Sequence, residues 1–280
     1  MDKYNLIIII SVIFIILGIS GGVISADTAL DTGRENAFNY QNLIEEIDYA
    51  DLLEKELDLM EKLELKIEQP FLYQQLGELR LKIAAYNYSR FRCDSSDNKA
   101  LFKALEYSAS AAELLRDYDQ SWLIFGLVLS EFKSEKEMLE KAGQAFIKAA
   151  ELNPANAQAQ QLLAQNMLEQ GRFWSAVEQY KNLFNKDRSM LTGTNISNLT
   201  LAYIADGRME AGLNYLNELL EKDRDNFYIN TSLAVLYQNL GYRDVSQLII
   251  KTLLLSKDRL SSNEMLYLEN LLAKWEGAEK

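Results

Sequence analysis

Three glycines constrain this chain more than any other feature. Gly171, Gly207 and Gly241 lie 36 and 34 residues apart. Seven residues before the first and last of them stand Ala164 and Ala234, each preceded by a leucine, Leu163 and Leu233. A pattern returning at that period is one unit of supersecondary structure written repeatedly. A single unit cannot bury its own apolar face, so neighbouring units must stack. The period predicts a solenoid of helix pairs rather than a single-core enzyme domain. Two prolines in 280 residues argue for long helices, and few runs alternate with period two, so no sheet is expected. At 48% hydrophobic residues the chain is too apolar to stay disordered.

The unit has a definite register. Trp122, Phe125, Gly126 and Leu129 form a head, and Ala142, Phe146, Ala149 and Pro154 form a tail. About four residues beyond the usual turn separate them, in the stretch 130–138. Leu163, Ala164, Gly171, Ala176 and Tyr180 repeat the pattern over 157–190. Leu199, Tyr203, Gly207 and Gly212 repeat it over 193–226, and Leu233, Ala234, Tyr237 and Gly241 over 227–260. Tyr73, Leu76, Gly77 and Arg80, with Ala104, Ser108 and Ala111, mark a degenerate copy in 70–117. This series resembles the tetratricopeptide repeat, whose motif is Trp-x2-Leu-Gly-x2-Tyr, then Ala-x3-Phe, then Pro. The resemblance implies an all-α, alpha-alpha superhelix of antiparallel helix pairs, with about twelve helices over residues 41–280. Small residues on both helices of a pair admit close approach, and Phe125, Phe146, Tyr180, Tyr203 and Tyr237 fill the space beside them. Each glycine at the end of a first helix is expected in the left-handed conformation.

The domain organisation follows from the ends inward. Residues 1–25 hold an uninterrupted apolar run from Leu6 to Ile19, extended to Ile24, near the length of about 20 residues that spans a bilayer. Lys3 precedes it, and Asp27 and Asp31 follow it, an asymmetry that predicts an exported body. A retained transmembrane anchor and a cleaved signal peptide both fit. Residues 26–40 read as a tether, and 41–117 as N-terminal helices ending in the degenerate repeat. Ile44, Ile47, Leu53, Leu57, Met60 and Ile67 suggest an apolar stripe on the first of these helices, opposite an acidic solvated face. After Pro70 a helix is expected to about Ser89, followed by a turn some ten residues longer than usual. Residues 118–260 are the four better repeats. Residues 261–280 form a capping helix: Ser261 and Glu264 fit a capping box, Met265, Leu268, Leu271, Leu272 and Trp275 an inner face, and Glu264, Asn270 and Lys274 a polar outer side.

The residues present exclude much chemistry. The chain has no histidine, which removes imidazole general bases and histidine-bound zinc. Cys93 is its one cysteine, so neither an intrachain disulfide nor a cysteine metal site can form. A net charge of −12 opposes nucleic-acid binding. No catalytic, cofactor or metal residues are assigned, and the chain is not expected to be an enzyme. The resemblance implies a protein-interaction scaffold whose first helices line a concave groove for a peptide or protein segment. That stripe contains Gln158, Gln161 and Gln165, then Ser197 and Asn198, then Tyr228, Thr231 and Gln238. The three glutamines share a face by their i, i+3, i+7 spacing. Leu123 and Leu127, Gln161 and Gln165, and Ser197 and Leu201 stand where chaperone-docking relatives carry a basic carboxylate clamp, so an acidic-tail ligand is not expected. The alternative is a solute- or lipid-binding subunit of an envelope transport complex.

Overall fold

The structure is a computed structural model describing residues 48–65, 69–256, 258 and 260–277. Residues 1–47, with the apolar segment, the tether and Ile44 and Ile47, lie outside the described residues, as does Ile67. Twelve α-helices and one short 3-10 turn account for the described chain, with no strand among those residues. They fall into two compact units, 48–187 and 188–277.

In the first unit α1 (Tyr49–Glu64) lies on α2 (Gln69–Cys93), which pairs with α3 (Asn98–Leu114). Helices α4 (Asp119–Ser130) and α5 (Lys136–Leu152) form the next pair, and α6 (Ala157–Glu169) and α7 (Phe173–Lys186) the last. Each of α3, α4 and α6 begins one residue after a polar side chain or a tight turn. Asp97 caps α3 by accepting from the Ala100 amide at 3.0 Å, and Asn156 caps α6 through Ala159 at 3.0 Å. The core runs continuously from Leu81 and Tyr88 through Ile124, Phe146 and Leu163. Gly126 lets α4 meet the Phe146 ring: a Cβ there would stand 2.6 Å from the ring edge.

In the second unit α8 (Gly193–Ala205) and α9 (Met209–Lys222) are followed by α10 (Phe227–Asn239), α11 (Arg243–Leu255) and α12 (Ser262–Gly277). Asn226 caps α10 through the Ile229 amide at 3.0 Å. The expected capping box opens α12, with the Ser261 amide donating to Glu264 at 2.8 Å and the Glu264 amide to the Ser261 hydroxyl at 3.3 Å. Leu268, Leu271 and Trp275 pack with Ala234, Val235 and Ile250.

The repeat glycines end α6, α8 and α10 in one geometry. Gly171, Gly207 and Gly241 have φ of +74°, +75° and +88°. In each case the following amide bonds back across the turn: Arg172 to the Met167 carbonyl at 2.8 Å, Arg208 to Tyr203 at 3.0 Å, Tyr242 to Tyr237 at 2.9 Å. Together with the glycine amide's own bond this is the Schellman cap, which a residue with a Cβ enters only under strain.

Four expectations are corrected. The long turn after Ser89 is helix: α2 continues to Cys93, and only residues 94–97 turn, held by Ser96 on Asp94. The extra residues before Ala142 likewise give a loop at 131–135 and a 17-residue α5. On α1 the buried face is Leu52 with Glu56, not Leu57 and Met60, which are exposed. Glu56 is held there by Arg80 at 2.8 Å and the Tyr107 hydroxyl at 3.0 Å, a long-range arrangement that no local period announces. The outer side of α12 is not wholly polar, since Leu266 and Tyr267 are exposed beside Asn270 and Lys274. Among the expected fillers, Phe146, Tyr180 and Tyr203 are buried, whereas Phe125 and Tyr237 are half-buried.

Candidate functional site

In the first unit the groove positions of α4 and α6 differ in kind. Leu123 and Leu127 are buried and belong to the core. Gln158, Gln161 and Gln165 all lie on one face of α6 and are half-buried rather than fully exposed. The cause is local. The inner face of that helix carries Ala159, Leu163 and Ala164, and Gln160 is drawn in to the Pro154 carbonyl at 2.7 Å. The side chains of Gln158 and Gln161 make no hydrogen bond among the described residues, so both side-chain amides are open to a ligand. Gln165 donates to Glu169 at 3.1 Å.

That bond leads to two carboxylates which the sequence reading did not select. Glu131 and Glu169 stand at the same register position, where a first helix ends. Glu131 accepts from the Tyr88 hydroxyl at 2.7 Å and pairs with Arg92 at 3.1 Å, both on α2. Glu169 reaches solvent, yet burial pushes its carboxyl up; the Gln165 amide and Lys133 oppose this, and Glu131 adds to it. The glutamine face therefore runs into an acidic end. The repeat register itself was the available signal, since it puts Glu131 and Glu169 in equivalent places.

In the second unit the expected residues part company. Ser197 is exposed and Asn198 half-buried on α8. Tyr228, half-buried on α10, lays its ring over the start of α8, where a Cβ on Gly193 would come within 2.6 Å of it. These three form the accessible part of that face. Thr231 does not: it is buried, and its hydroxyl donates to the Phe227 and Tyr228 carbonyls at 3.0 and 3.1 Å. Gln238 is half-buried and accepts from the Ser246 hydroxyl at 2.7 Å, tying α10 to α11. Both serve the fold. A threonine in a helix has its own backbone as a ready acceptor, which sequence spacing alone does not separate from an outward role.

A cleft of about 320 Å³ lies between α5 and α6, lined among others by Glu140, Gln144, Ile147, Met167 and Arg172. Its polar floor is spent internally. Asn166 and Gln170 both donate to the Leu139 carbonyl, at 3.0 and 2.9 Å. Among the described residues no three acidic or cysteine side chains converge on a metal position, and no helix is long and apolar enough to cross a membrane.

No protein-family model and no curated protein matches the sequence. Solved structures do. A putative kinesin light chain from Podosopora anserina with nearly identical TPR-like repeats is 14% identical, with a TM-score of 0.50 over 74% of this chain and 98% of that one. MamA from Desulfovibrio magneticus RS-1 is 15% identical, with a TM-score of 0.47 over 70% of this chain and 99% of that one. YrrB, described as a TPR protein with an unusual peptide-binding site, is 16% identical, with a TM-score of 0.47 over 79% and 97%. Identities this low concern the fold alone. The helix pairs of this chain are tetratricopeptide-like repeats.

Proposed function

We propose that the protein is a non-catalytic interaction scaffold that holds an extended peptide or protein segment against the outer face of α6. One observation carries this reading: Gln158 and Gln161 present free amides on the first-helix face, with Gln165 and Glu169 continuing it. An amide donates and accepts at once, so a row of them pairs with main-chain groups whatever the side chains of the ligand. The raised, partly shielded carboxyl of Glu169, beside Glu131, suits a basic or hydrogen-bond-donating group at one end of that segment. Export, by a retained anchor or a cleaved signal peptide, is part of the proposal and rests on residues 6–24 and their flanking charges.

A photo-crosslinking residue placed at Gln161 in the full-length protein tests it in cells. Protein or peptide adducts should form there and not at Glu178, on the solvent face of α7. They should fall at least severalfold when Gln165→Glu and Glu169→Gln are combined with the probe. Equal labelling at both positions would remove the ligand from this face. A stoichiometric small molecule in native mass spectrometry, with no adducts, favours the solute- or lipid-binding alternative.

A further inference from the structure

The second helices of the repeats offer a comparison within one chain. Four register positions lie on the outer side of each, exposed or half-buried. On α5 they are Lys141, Gln144, Lys148 and Glu151; on α7, Ser175, Glu178, Asn182 and Asn185; on α9, Ala211, Asn214, Glu218 and Glu221. On α11 the same positions hold Val245, Leu248, Thr252 and Leu255. The position that carries Arg172 and Arg208 in the two preceding repeats carries Tyr242 here. None of this is core. Tyr242 is 57% exposed, Val245 41%, Leu248 65% and Leu255 85%, while Ser246 and Ile250 face inward. At these register positions, large apolar groups replace small or polar ones on α11 alone of the four helices.

The pattern also says what kind of surface fits. The spacing is three, four and three residues, the a/d seam of paired helices. A helix lying on a bilayer needs a broader apolar face, and the seam here is two residues in seven. We propose that α11 is a dimerisation helix, and that its partner is α11 of a second copy packed antiparallel to it. A two-fold axis passing by Ile250 brings Val245 against Leu255 of the other copy and Leu248 against Thr252. Each larger side chain then meets a smaller one.

Charge permits the self-contact. The chain carries −12, which opposes association in general. Beside the seam, however, stand Arg243, Asp244, Lys251 and Glu276, two of each sign, with Lys251 and Glu276 paired at 3.1 Å. The seam is a single 13-residue helix, about 20 Å long. Its area falls below that of a standard interface, so a dissociation constant on the order of micromolar is expected.

The test uses the full chain in mild detergent, in a Cys93→Ser background. Val245→Cys protein mixed with Leu255→Cys protein should oxidise to the mixed 245–255 disulfide in excess of either like pair. Predominance of the 245–245 product overturns the antiparallel arrangement. A monomer at every concentration in sedimentation velocity, with no disulfide, overturns the dimer. Leu248→Glu should weaken association about tenfold or more, because the charge would be buried without a partner, while helicity and melting stay unchanged. If that variant loses its fold, Leu248→Ser with the disulfide assay decides the same question. Association unaffected by either change places the contact elsewhere, including in residues 6–24, and removes α11 from it. Vesicle binding that Leu248→Glu abolishes, in a protein that stays monomeric, assigns the seam to a lipid surface and also overturns the proposal.

Discussion

Helices α1 and α12 both cover a repeat that would otherwise lie open, α12 by apolar packing and α1 by apolar packing with a buried ion pair added. Helix α12 docks with Leu268, Leu271 and Trp275 on Ala234, Val235 and Ile250. Helix α1 packs Leu52, with Tyr49, Leu53 and Leu59 beside it, on Leu79 and Ile83, and places Glu56 within that buried face. That carboxylate is satisfied by Arg80, whose guanidinium also donates to Ser110 at 2.6 Å, and by Tyr107. Apolar docking is non-directional and scales with area. The ionic docking fixes one rotation and one register, because a buried charge without its partner is strongly unfavourable. An apolar cap therefore tolerates rearrangement, whereas a cap held by Glu56 does not.

The largest effect that tests this contrast is expected at Trp275. Trp275→Ala removes the largest buried side chain of α12 and should cost about 3–5 kcal/mol, read as loss of hydrogen-exchange protection along α12. If protection survives, Leu268 and Leu271 alone dock the helix. Next comes Arg80→Met, which strands Glu56. Arg80 keeps some solvent contact, so the cost should be about 2–3 kcal/mol, somewhat under that of a fully buried pair. The double variant Glu56→Leu, Arg80→Met should regain most of it. A double variant as unstable as the single one would show that packing, not the unpaired charge, is what Arg80 supplies.

The smallest effect concerns pH. Burial, then Glu56, pushes the Tyr107 hydroxyl up to about 12. A group whose folded value is raised stabilises fully below its unfolded value, near 10 for tyrosine, and loses that contribution as pH climbs toward 12. Tyr107→Phe should cost about 1 kcal/mol at neutral pH, and the difference from the parent should shrink between pH 10 and 12. A difference constant up to pH 12 would mean that the hydroxyl bond contributes nothing.

Much of this was legible because the signals are local. The capping box at Ser261 needs only polar side chains within three residues of an amide. The glycine turns need only the residue that enters left-handed backbone without strain. Of the candidate site, Gln158, Gln161 and Gln165 share the face that their spacing predicts, while Thr231 and Gln238 do not join it. The Thr231 hydroxyl finds its acceptors in its own helix and Gln238 accepts from Ser246 on α11, partners that first-helix spacing does not name.

The sequence by itself determined the repeating helix pairs, the glycine turns that end their first helices and the apolar face of α12, since each is set by groups a few residues apart. Only the tertiary structure decided that α2 runs on to Cys93 and that Glu56 rather than Leu57 faces inward. It likewise decided that Glu131 and Glu169 close the glutamine face. Those outcomes depend on partners tens of residues distant, such as Arg80 and Tyr107 for Glu56, and Tyr88 and Arg92 for Glu131. A charge enters a protein interior only where folding has already brought its counter-charge and donors to meet it.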